Sequence, residues 1–102
     1  MPLKAAPFAL PDVPLLNAAG ETVTPAALHA GGRAVVIIGH RNCKTTRQTL
    51  PFIDRIHKDG GRAVALMQDA PAEAAEALAK LGLDLPYFCE PNPYAFSSAI
   101  GV

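Results

Sequence analysis

RAVVIIGHRNCKTTRQTLP, residues 33–51, is the stretch from which the fold can be read. Val35–Ile38 is a run of β-branched residues, the composition of a strand. Because the run is continuous rather than alternating, it predicts a central strand covered on both faces. Gly39 and a polar corner, His40-Arg41-Asn42, then lead into Cys43. Past Cys43 the apolar residues change period. Leu50, Ile53 and Ile56 recur at three-residue spacing and Phe52 widens their face, which predicts a helix over 44–58. Pro51 falls inside it and is expected to kink it or remove one hydrogen bond. A strand that hands a cysteine to the first turn of a helix is a way to make a reactive thiol. The unpaired N–H groups and the positive dipole end both favour thiolate over thiol.

Downstream, Arg62–Met67 reads as a second strand, short and apolar. Asp69 and Pro71 open a second helix, 72–81, with Asp69 as its cap and Gly82 as its stop. Ala75, Leu78 and Leu81 are expected to face the sheet. Leu85–Cys89 reads as a third strand, and Pro86 predicts an edge position for it. Asn92-Pro93 starts a last short helix, 93–100, stopped by Gly101. Upstream, extended pieces are expected at Ala6–Leu10, Leu15–Leu16 and Glu21–Val23, followed by one or two helical turns over 25–30 that end at Gly31-Gly32. Strand and helix alternate from residue 33 onward, which implies an α/β domain with parallel pairing. Functional groups in such sheets gather at the carboxyl ends of the strands. Cys43, Asp69 and Cys89 all follow such ends.

The 102 residues make one domain, 1–102, half of it apolar and therefore able to bury a modest core. Nine basic residues balance nine acidic ones, so general electrostatics give no reason to bind nucleic acid or an anionic membrane. No apolar run reaches the roughly 18 residues that span a bilayer, and prolines interrupt the opening MPLKAAPFALPDVP before a secretory core could form. A cytoplasmic location is the resulting expectation. Two distant cysteines make neither a disulfide framework nor a closed zinc site. His40, Cys43 and His57 match no standard metal-ligand spacing, so no metal and no cofactor are expected.

With these residues placed, the chain resembles the thioredoxin-fold family that holds peroxiredoxins and thioredoxin-like thiol-disulfide oxidoreductases. APFALPDVPLLNAAGETVTPAAL is similar to the family's lead-in. VVIIGHRNCKTTRQTLP resembles the strand, Cys-x-x-Cys-Arg and helix proline of the oxidoreductases, with Cys43 at the first cysteine, Arg47 after the second position and Pro51 at the proline. AVALMQD resembles the second strand and its acidic residue, and YFCEPNPYAFSSAIGV the strand, turn and short helix before the family's cis-proline segment. The resemblance implies a mostly parallel central sheet flanked by helices. It departs from the pattern at Thr46, which stands where the second cysteine would be, so the usual intramotif disulfide cannot form. His40 and Val36 stand where peroxiredoxins carry a threonine and a proline. The family's cis-proline, β-hairpin and closing helix would follow Val102, so further chain or a partner is expected to complete the sheet.

The residues and the resemblance together suggest Cys43 as a single nucleophilic thiolate, with Thr46 donating a hydroxyl, Arg47 holding the thiolate or a substrate oxygen, and His40 shuttling a proton. His40, Arg41, Lys44 and Arg47 are expected to crowd it with positive charge. Cys89 is a candidate to resolve an oxidised Cys43, provided their Cα atoms come within about 7 Å. Two functions follow. One is a redox enzyme that reduces a hydroperoxide or exchanges protein disulfides, recycled by an external thiol or thioredoxin-type reductant, as a monomer or homodimer. The other is a non-catalytic module of the same fold that binds another protein, in which Cys43 is only a small buried residue.

Overall fold

The computed structural model describes residues 10–100. The expected strand at Ala6–Leu10 lies almost wholly outside them. Leu15–Leu16 (β1) and Thr22–Val23 (β2) form a short antiparallel hairpin, followed by a 3-10 turn at Pro25–Leu28. Val35–Gly39 (β3) leads to a helix at Lys44–Lys58 (α1), Ala63–Met67 (β4) to a helix at Pro71–Lys80 (α2), and Tyr87–Cys89 (β5) to a short helix at Ala95–Ala99 (α3). One sheet holds all five strands in the order β2-β1-β5-β4-β3. β3, β4 and β5 are parallel, while β1 pairs antiparallel with both β2 and β5. This is the α/β architecture expected from the alternation of strand and helix.

The order within the sheet differs from the sequence reading at two strands. The central, fully covered strand is β4, all five of whose residues are buried. Ala65 and Met67 point to one face, where they meet Leu50 of α1 and Ala74 and Leu78 of α2. Val64 and Leu66 point to the other, against Leu15, Leu28 and Phe96. Each large side chain sealed there contributes roughly 1.5–3 kcal/mol relative to exposure. β3, read as central, is an edge strand among the described residues, with Val35 and Val36 exposed. β5, read as an edge, lies between β1 and β4. Pro86 allows this because it precedes the strand: it forfeits no ladder bond through its missing N–H, and its carbonyl accepts from the Ala65 N–H at 3.0 Å.

The helices also refine the reading. α1 runs through Pro51 as a single helix, buries Leu50 and leaves Phe52 exposed. On α2, Ala74 and Leu78 turn to the core whereas Ala75 and Leu81 are exposed. Asp69 is not the cap of α2. The N-cap is Ala70, whose N–H donates to Glu73 Oε1 at 3.1 Å.

Three polar ties fix the layers. Buried Asp54 of α1 accepts the N–H groups of Asp84 (3.2 Å) and Leu85 (3.0 Å) ahead of β5 and pairs with Lys58 at 2.9 Å. The Arg62 guanidinium donates to the carbonyls of Ala27 and Leu28. Buried Glu90 accepts the N–H and hydroxyl of Ser97, which holds α3 against the end of β5. Among the described residues no helix is long and apolar enough to cross a membrane.

Candidate thiol site

The parallel register sets Gly39, Met67 and Cys89 level with one another, so the carboxyl ends of β3, β4 and β5 form one rim. The chain leaves that rim at Gly39, whose carbonyl accepts the Gln68 N–H at 2.8 Å. It then turns through His40–Asn42, closed by the Cys43 N–H donating to the His40 carbonyl at 3.1 Å. Cys43 is the N-cap of α1, still in extended backbone (φ −93°, ψ 121°), and its carbonyl accepts the Arg47 N–H that starts the helix. Thr46 is buried directly over Gly39, and a Cβ at position 39 would overlap its side chain. Glycine at the end of β3 is therefore what lets the first turn of α1 sit down on the sheet.

The environment of the sulfur follows from this seating. Cys43 is half-buried. The N–H of Thr46, then its hydroxyl, hold the Cys43 thiol below its ordinary pKa against a smaller opposing effect of desolvation, and the N–H and hydroxyl of Thr45 add to the lowering. The stabilisation comes from helix-terminal N–H groups and threonine hydroxyls. The expected crowding by cations is corrected at Arg41. Its backbone N–H donates to Asp69 Oδ2 at 2.9 Å, and its guanidinium bonds Glu73 Oε2 at 2.7 Å and lies 3.6 Å from Asp69 Oδ1. Asp69 and Glu73 thus engage Arg41 and tether the corner to the start of α2.

The other candidates are dispersed around this corner. His40 is half-buried and engages Cys43 through its backbone carbonyl. Arg47 is exposed and forms no ion pair among the described residues. It lines a groove of about 180 Å³ between α1 and α2, floored by Leu50 and Met67. Cys89 lies in the core beneath α1 and α2, with β4 between its strand and the one that leads to Cys43. Burial, with the Asp69 charge in addition, pushes its thiol up to about 11. Among the described residues no three His, Cys, Asp or Glu side chains converge as a metal site, so His40, Cys43 and His57 are not brought together.

Sequence reasoning missed the Arg41–Asp69–Glu73 tether and the fit of Thr46 over Gly39. The first spans 28 and 32 residues, beyond any local pattern. The second had a signal, a glycine closing a β-branched run.

No family model and no curated protein matches the sequence. Among solved structures, the chain is similar to the solution structure of "a putative protein disulfide isomerase from Bacteroides thetaiotaomicron", with a TM-score of 0.61 and 18% identity over 85% of this chain. The match spans 58% of that protein, so the present chain corresponds to little more than half of it. Identity at that level speaks for architecture. The chain has a thioredoxin-like α/β fold.

Proposed function

We propose that the protein is a monothiol redox protein in which Cys43 is the nucleophile for disulfide exchange. One observation carries the reading: a partly exposed cysteine caps α1, and the N–H and hydroxyl groups of Thr46 and Thr45 lower its thiol pKa. The likeness to a structure described as a disulfide isomerase supports the same class of chemistry. The Cys43 thiolate attacks one sulfur of a substrate disulfide. That S–S bond breaks, a mixed disulfide forms on Cys43, and the other half leaves as a thiolate that takes a proton from water. Two external thiols in turn release Cys43 and the bound half, and carry away the oxidising equivalents as their own disulfide. An external reductant suits this chain because position 46 is threonine and Cys89 is sealed in the core.

Hydroperoxide reduction is a second reading, favoured by the Thr45 and Thr46 hydroxyls beside the sulfur. There the thiolate takes the terminal peroxide oxygen, the O–O bond breaks, and the alkoxide leaves protonated. Cys43 remains as a sulfenic acid, which an external thiol converts to a mixed disulfide with loss of water. Whole-protein mass spectrometry after treatment with hydroxyethyl disulfide, and separately with a hydroperoxide plus a sulfenic-acid trap, tests both. The expected result is a mixed-disulfide adduct on Cys43 that an external thiol removes. Absence of any Cys43 adduct, or modification of Cys89 in its place, contradicts the proposal.

A further inference from the structure

The segment that carries the thiol is weakly specified by its own residues. His40-Arg41-Asn42-Cys43 forms a single turn, closed by the Cys43 N–H on the His40 carbonyl. Neither Arg41 nor Asn42 has a positive φ, and no glycine or proline stands among the four, so nothing in their composition enforces the turn. Its two ends are held from outside. The Gly39 carbonyl accepts the Gln68 N–H, and beyond Cys43 the Thr46 side chain is seated on Gly39.

Between those ends a single side chain holds the backbone. Asp69 Oδ2 accepts the Arg41 N–H at 2.9 Å, and among the described residues this is the one side-chain hydrogen bond to the backbone of 40–43. The Asp69 side chain is only 8% exposed, so water does not readily take its place. The Arg41 guanidinium bonds Glu73 at 2.7 Å but stands 3.6 Å from Asp69 Oδ1. Glu73 therefore holds the arginine side chain, and Asp69 holds the backbone. The other ionisable groups near Asp69 are Cys89 on β5, whose thiol its charge helps to raise, and Glu90, which lines the same cavity.

We infer that Asp69 is a positioning residue for the thiol: by holding the Arg41 N–H it fixes the turn, and so sets the Cys43 sulfur over the first turn of α1. The inference rests on Cys43 as the nucleophile. The N–H groups of Thr45 and Thr46 are placed by the helix, whereas Cys43 is still in extended backbone and is placed by the turn. Their approach to the sulfur depends on both. Loosening residues 40–43 lets the sulfur swing towards water, and the thiolate loses donors that favour it. The role calls for an acceptor and not for a charge. A carboxylate acting on the thiolate through space would oppose ionisation, so a purely electrostatic Asp69 would shift the thiol in the opposite sense.

The pH profile of Cys43 alkylation, taken with a thermal melt for each variant, tests this. Asp69→Ala should move the midpoint up by about half a pH unit or more, towards the free-thiol value of about 8.5. Asp69→Asn keeps an oxygen for the Arg41 N–H and loses the charge, while Arg41→Ala keeps the N–H and loses both ion pairs. Each of these two should stay within about 0.2 of the parent. Asp69→Ser, whose hydroxyl is one bond short of the carboxylate oxygens, should shift in the same direction as alanine and serves if the alanine variant does not fold. A merely structural Asp69 would lower the melt and leave the midpoint in place. Unmoved midpoints in the alanine and serine variants overturn the inference, as does a shift in Asp69→Asn or Arg41→Ala as large as that in Asp69→Ala. A parent midpoint at the free-thiol value would overturn the proposed function and this inference with it, whereas a low parent midpoint with unmoved variants overturns this inference alone.

Discussion

Cys43→Ser is expected to reduce disulfide exchange by at least about a hundred-fold, to the rate of the external thiol alone, because a hydroxyl at that position is not ionised near neutral pH. The comparison is clean on structural grounds. Serine is a favoured helix N-cap, so the substitution keeps the start of α1. The variant should therefore melt at or slightly above the temperature of the parent. Turnover of hydroxyethyl disulfide with a coupled thiol reductant measures the activity, and the melt separates lost chemistry from lost fold. Activity that survives the substitution would remove Cys43 from the mechanism.

Asp54→Ala is expected to cost about 3 kcal/mol, roughly 12–20 °C in melting temperature for a domain of this size. The carboxylate is buried, accepts the N–H groups of Asp84 and Leu85 and pairs with Lys58. Alanine leaves the Leu85 N–H buried without an acceptor and unties α1 from the approach to β5. The substitution also changes the response to acid. Burial alone would raise the Asp54 carboxyl, but the Lys58 ammonium and the Asp84 N–H outweigh it and hold it below its ordinary value. A carboxyl whose folded pKa is depressed contributes stability that is fully present above the unfolded value of about 3.9 and is lost as pH falls through the folded one. The variant should accordingly lose stability less steeply below about pH 4 than the parent. Urea unfolding at neutral pH and across the acid range tests both statements.

The parts of this molecule that were legible in its sequence are those set by local chemistry. The β-branched run before Gly39, the three-residue apolar spacing after Cys43 and the buried strand at Ala63–Met67 each announce one element, and the alternation announces the class. What the sequence hid is set by neighbours far along the chain. A continuous apolar run says that a strand can be covered on both sides without saying what lies beside it, so β3, read as central, ends the described sheet. Pro86 suggested an edge, but a proline just ahead of a strand costs the ladder nothing. Asp69 has the composition of a cap, and only the folded chain shows that it receives the Arg41 N–H instead. Of the site, the placement of Cys43 at a helix start was readable. The turning of Arg41 to Asp69 and Glu73 was not, because both partners lie on distant segments.

The most direct measurement is the pH dependence of alkylation at each cysteine, followed by mass spectrometry of iodoacetamide adducts. Cys43 should reach half its maximal rate below about 8.5, the value of a free thiol. Cys89, buried and raised to about 11, should stay unmodified across the same range in the folded protein. A Cys43 that titrates at or above the free-thiol value would contradict the claim that the first turn of α1 makes it a nucleophile.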